Sequence, residues 1–167
     1  RELVKEIPFP KEILVISSVL TVFLSFLGEL LVLILLLLVL GSKPSTMIVF
    51  FPGLILTQLL LILGVSFITS TLFVFWRDID RIWSILLKIG FFATPIFYPL
   101  GVISKDLQIF LLLNPMTHIL SFTRTMMLSE PVGSPFGIVA TVIFSLILCL
   151  VGYIIFKKAA LRFAEVL

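Results

Sequence analysis

Few side chains in this sequence are equipped for chemistry, and those few stand apart. A single cysteine, Cys149, and a single histidine, His118, exclude a disulfide framework and leave no metal-ligand spacing. No nucleophile is spaced to meet a base, and no phosphate loop occurs, so no residue is assigned a catalytic or metal-binding role. What remains is the chemistry of contact and passage. The stretch FFATPIFYP carries four rings, Phe91, Phe92, Phe97 and Tyr98, with Pro95 and Pro99 among them. Beyond it an apolar run breaks at Asn114 and Pro115, and His118 and Arg124 follow. Glu29 is the one acid deep inside an apolar stretch. A lipid anchor has no need of two prolines and four rings at a membrane boundary; the passage of something polar accounts for them.

The elements that hold these residues are set by composition. With 60% hydrophobic and 13% charged residues, and a mean hydropathy of +1.31, the chain lies far from the soluble norm of about 25% charged. It reads as an all-α integral membrane protein. A span needs roughly 20 apolar residues, and four windows qualify: about 13–40, 47–76, 83–100 and 134–156. The third is short, its uncharged core covering about 24 Å at 1.5 Å per residue. Gly41 to Thr46, GSKPST, is a tight polar turn between the first two. No cleavable leader pattern is present at the start, and the opening Arg1 in place of Met reads as a fragment or clipped product.

Basic residues set the orientation, because loops rich in Lys and Arg remain cytoplasmic. With four spans, nine of the twelve basic residues fall on one side and only Lys43, Lys105 and Arg124 on the other. Both ends of the chain are therefore expected in the cytoplasm, and the tail is residues 157–167. The net charge of +3 is explained by that topology and by anionic lipid, with no nucleic-acid partner. Residues 104–130 then begin and end outside. Their two apolar pieces are too short to cross, and Pro115 removes a backbone donor and disfavours a helical Asn114. A re-entrant helix pair on the outer face, between the third and fourth spans, is the economical solution. Such broken backbone is tolerated only beside protein or a water-filled cavity.

Each candidate has a structural reading beside its functional one. Glu29 must face protein or water or be protonated, since a charge at the bilayer centre costs about 2.5–3.5 kcal/mol; no second acid or histidine shares its depth, so it is taken as structural or channel-lining. Asn114 is expected to cap the second short helix. His118 and Arg124 are six apart and do not form a joint site; either is placed to meet an outer-vestibule ligand, or to snorkel to headgroups. The WRDIDRIW turn, Trp76 to Trp83, is an interfacial anchor or a partner contact. Thr94 and Pro95 imply a bend near the outer end of the third span. The Gly133 to Gly137 spacing matches a small-residue packing motif. Arg1 to Ile7 reads as the end of an amphipathic surface helix, broken by Pro8 and Pro10.

The order of these features resembles type 2 ABC-transporter permeases, in the branch that exports O-antigen, capsule and teichoic-acid chains. The resemblance is carried by LVKEIPFPKEILVISSVL (Leu3 to Leu20), FWRDIDRI (Phe75 to Ile82), FFATPIFYP (Phe91 to Pro99), LNPMTHILSFTR (Leu113 to Arg124) and RFAEVL (Arg162 to Leu167). It implies six spans, of which this sequence would hold the last four. It implies a homodimer around a central channel, in the cytoplasmic (inner) membrane, with two cytoplasmic ATPase subunits that carry ATP and Mg; this chain would hold no cofactor. The ATPase contact would map to residues 1–12, with Arg1, Glu2, Lys5 and Glu6 as coupling candidates, although the start of that helix is absent here. The cargo would be a lipid-linked polysaccharide or polyol-phosphate polymer. Phe91, Phe92, Phe97 and Tyr98 would then offer faces to sugars, or form an ordinary aromatic belt. A permease for a drug or lipid, or a secondary transporter, is the alternative; no inverted repeat of the latter kind is visible.

Overall fold

A computed structural model describes residues 11–76, 78–98, 102–130 and 134–160. The described chain is helical: α1 (Lys11–Val39), a 3-10 turn (Thr46–Phe50), α2 (Phe51–Phe75), α3 (Ile79–Phe92), α4 (Lys105–Leu112), α5 (Pro115–Leu128) and α6 (Pro135–Ala160). Three segments are long and apolar enough to cross a membrane: Lys11–Val39, Thr46–Phe75 and Pro135–Ala160. This is an all-α membrane protein with several spanning helices.

Local chemistry sets the ends. The first span stops where Gly41 takes a left-handed φ of 76°, so that Gly41 N–H donates to Leu38 O and Ser42 N–H to Leu37 O, both at 3.0 Å. That double bond is the glycine C-cap arrangement that satisfies orphan carbonyls. Ser45 caps the 3-10 turn by accepting from Met47 N–H, and proline stands at the start of α2 and α5, where a missing donor does no harm. Lys157 and Lys158 close α6, and Lys11 Nζ donates to Ala160 O at 3.4 Å, so the start of α1 and the end of α6 lie at one level.

The centre of the fold is the antiparallel seam of α2 and α6. Leu54, Thr57, Leu61, Gly64, Phe67 and Thr71 of α2 are buried, as are Gly137, Thr141, Ser145, Gly152 and Phe156 of α6. Small residues let the two backbones nearly touch. A Cβ at Gly64 would fall 2.7 Å from Cys149 N, and one at Gly152 would fall 2.6 Å from Gly64 O. Hydroxyls enter this seam without penalty because each donates to its own helix: Thr57 to Gly53 O, Thr71 to Phe67 O, Thr141 to Gly137 O and Ser145 to Thr141 O, at 2.8–2.9 Å. At one end Phe67 meets Tyr153 and Phe156. At the other, Phe51, Leu54 and Leu61 join Leu30 of α1 and Ile119, Phe122, Met126 and Met127 of α5.

The third apolar window departs from its expected bounds of 83–100. Helix α3 starts earlier, at Ile79, and ends at Phe92; 14 residues reach about 21 Å. Thr94 and Pro95 end the helix in place of the expected bend within it, because Pro95 disfavours helix at the residue before it. Outside Ile79 and Trp83, every residue of α3 is exposed.

Candidate functional site

The residues singled out in the sequence gather at one polar node and around it. α3 runs into the segment Ala93–Tyr98, and α5 holds that segment at two points. Asn114 Nδ2 donates to Thr94 Oγ1 at 2.9 Å, and the Arg124 guanidinium donates to Ile96 O at 2.6 Å. Thr94 in turn donates to Gly90 O, and Pro95, between the two clasps, is fully buried. Asn114 does two jobs: its Oδ1 accepts from Met116 N–H at 3.0 Å, capping α5, while its amide reaches across to the segment after α3.

This clasp presents the rings. Phe91 stands edge to face with Phe92 and Phe97 at centroid distances of 5.6 and 5.7 Å; all three are exposed, Phe97 by 79%. Tyr98 turns back, its hydroxyl donating to Phe92 O at 2.9 Å. The rings thus form one cluster fixed to α5.

His118 and Arg124 are held apart, as their spacing implies. His118 rests its ring against Gly137 at the start of α6, where any Cβ would collide with it, and its Nε2 lies 2.9 Å from Leu112 O; facing a carbonyl, that nitrogen carries the proton. Gly137 therefore serves a contact within the chain. Its predicted companion Gly133 lies outside the described residues, as do Arg1, Glu2, Lys5, Glu6, Arg77, Pro99 and the tail from Leu161. Pro115 and His118 share a hollow of about 310 Å³ with Ala140, Thr141 and Phe144. The Asn114–Pro115 break therefore sits roughly 9–14 Å along α6 from Pro135. The far end of α5 is tied to the first interhelical turn: Ser45 N–H donates to Met126 O, Ser42 Oγ to Met127 O and Ser129 Oγ to Lys43 O, at 2.7–3.0 Å.

Glu29 is exposed on α1, with no hydrogen bond or ion pair among the described residues. Its setting was not foreseen from the sequence. α1 and α2 part below it to leave two adjoining hollows of about 410 and 340 Å³, which share Ser18, Val19 and Ser66. Gln58 lines the upper hollow and Thr69 and Ser70 the lower. The signal lay in a four-residue period, Gln58, Ile62, Ser66 and Ser70, inside a window that stands out only for its lack of charge. At the other end of α2, Leu72, Phe75, Trp76, Ile79, Ile82 and Trp83 line a largely apolar mouth of about 540 Å³ between α2 and α3. Among the described residues no three of His, Cys, Asp and Glu converge as metal ligands.

No family model matches the chain. It is 30% identical over 167 residues, 99% of its length, to the O-antigen export system permease protein RfbA of Myxococcus xanthus. Two proteins of the same name from Klebsiella pneumoniae are also 30% identical, over 167 and 168 residues. The chain spans 64% of the length of each of these relatives.

Proposed function

We propose that this chain is the transmembrane permease subunit, or the greater part of one, of an ATP-driven ABC exporter that moves a lipid-linked polysaccharide or polyol-phosphate polymer across the cytoplasmic membrane. The observation that carries the proposal is the 30% identity over 99% of the chain to proteins named O-antigen export permeases. The geometry supports it in three ways. α3 is too short to cross alone and stops where α5 clasps residues 94–96. The α4–α5 pair, broken at Asn114, is shaped to dip into the outer leaflet and return, with Lys105 and Ser129 outside. The ring cluster of Phe91, Phe92 and Phe97 is presented beside that break, and aromatic faces cover the apolar faces of sugars while hydroxyls stay wet.

In this reading the chain hydrolyses nothing. ATP and Mg belong to two cytoplasmic ATPase subunits, which would dock at the segment containing Arg1, Glu2, Lys5 and Glu6. A second copy of the permease closes the channel, and both ends of the chain lie in the cytoplasm. His118, held against Gly137 and Leu112 O, and Arg124, bound to Ile96 O, position the outer helices.

Deleting the gene in its source organism should remove a surface polymer. The gene should restore the polymer together with an intact ATPase partner, and fail to do so when the phosphate-loop lysine of that partner is replaced. Unchanged surface polymer after deletion would sink the proposal.

A further inference from the structure

We infer that the clasp of α5 on residues 94–96 is a releasable latch: closed, it ties the outer end of α3 to the other helices, and it must open for polymer to leave. The inference rests on the export reading above.

The described helices divide by how they are held. α5 is locked into one body with α1, α2 and α6. Its Ile119, Phe122, Met126 and Met127 share a core with Leu30, Phe51, Leu54 and Leu61, and His118 lies against Gly137 of α6. Its far end is bonded to the α1–α2 turn at Ser42, Lys43 and Ser45. α3 has no such seat. Only Ile79 and Trp83, in its first two turns, escape exposure, and a mouth of about 540 Å³ opens between it and α2.

Joints stand at both ends of α3. At the inner end Trp76 is extended, with φ −134° and ψ 106°, and a long hydrogen bond, Ile79 N–H to Trp76 O at 3.3 Å, crosses the turn. At the outer end Pro95 stops the helix, and the chain is caught by two side chains of the other body, Asn114 on Thr94 and Arg124 on Ile96 O. A rod between two non-helical joints moves as a unit, because such positions absorb backbone rotation. The 14 residues of α3 reach about 21 Å, so a tilt of about 10° at the inner joint carries the outer end roughly 4 Å. That displacement breaks both hydrogen bonds of the clasp.

The clasp is made to close and reopen. Each link is one polar side chain, whereas the far end of α5 is also tied through backbone, Ser45 N–H to Met126 O. Closed, the clasp buries Thr94 and Pro95, which favours that form at rest. Opened, Asn114 keeps its Oδ1 on Met116 N–H, so α5 retains its cap through the release. Phe91 and Phe92 at the end of α3, and Phe97 beyond it, are packed edge to face and travel together. Opening therefore moves the ring cluster off α5 without unfolding either helix.

The test joins the latch covalently in the complete exporter, with Cys149→Ser as background. Thr94→Cys with Asn114→Cys should form a disulfide on oxidation, read as loss of both thiols to maleimide labelling. Surface polymer should then stop appearing and return on reduction. Export at an unchanged rate with the pair joined would overturn the latch and leave a static brace; a pair that never joins would overturn it as well. Lys43→Cys with Ser129→Cys, joined by a short reducible bis-thiosulfonate within the one body, should leave export unchanged. If that pair also stopped export, the block would not belong to the latch and the inference would fail. Should Asn114→Cys not accumulate in the membrane, Ile96→Cys with Arg124→Cys, joined by the same reagent, puts the same question to the second link. Polymer that is lost on gene deletion yet passes a joined latch defeats the latch alone; polymer that survives deletion defeats the export reading and the latch with it.

Discussion

α2 has two working faces, and they are opposites made from similar residues. Toward α6 it presents Thr57, Leu61, Gly64, Phe67 and Thr71 and seals against the facing backbone. Toward α1 it presents Gln58, Ile62, Ser66 and Ser70 and stays open. Both faces carry hydroxyls, so polarity alone does not distinguish them. In the seam each hydroxyl donates to the carbonyl one turn earlier, and glycine lets the neighbouring helix come close enough to exclude everything else. In the groove Ser18 and Thr69 likewise donate to their own helices, but no glycine brings the backbones together and α1 stands off. In a membrane, where lipid is as apolar as leucine, close packing by small residues is what holds helices together. Its absence is what leaves room between them.

The seam glycines should show the difference most strongly. Gly64→Leu should abolish folded protein, and Gly64→Ala should cost about 1–3 kcal/mol by overpacking against rigid backbone; thermal unfolding of the purified chain in detergent measures both, and an unchanged midpoint would refute the seam. Two adjacent residues separate the faces directly. Thr57→Leu should destabilise by about 1–3 kcal/mol for the same reason, whereas Gln58→Leu should shift stability by no more than about 0.5 kcal/mol. Asn114→Ala removes a cap and the link to Thr94, and should cost about 1 kcal/mol or more and loosen the ring cluster, seen as faster proteolysis after Phe97. Gly137→Ala should be milder than Gly64→Ala, because a side chain can give where backbone cannot: His118 would swing off Leu112 O and forfeit about 0.5–1.5 kcal/mol. A Cβ at Gly28 would meet nothing within 4 Å, so Gly28→Ala should be neutral or stabilising by up to about 1 kcal/mol. Loss of folded protein there would mean that α1 is already covered.

Much of this was legible along the chain. Long apolar windows foretold the α1, α2 and α6 helices, because crossing length and hydropathy are local properties. The Asn114–Pro115 break was equally readable, since proline forbids a donor and constrains its neighbour whatever surrounds it, and the Asn114 cap follows at once. The third window differs from expectation at both ends. Asp78 and Asp80 made its first turn look like loop, and the apolar residues after Pro95 looked like helix although the prolines and the clasp from α5 hold them otherwise. The partners of Arg124 and His118 were beyond reach, as each meets a backbone group, which leaves no mark in side-chain spacing.

By itself, then, the sequence determined a helical membrane protein, the broken pair of short helices and the aromatic stretch leading into it, because these depend on transfer to lipid and on proline's own geometry. Tertiary structure alone decided which face of α2 is sealed and which is open. A helix apolar nearly all round has no face marked by hydropathy; the choice falls to the few places, Gly64 against Gly152 above all, where two backbones approach within reach of each other.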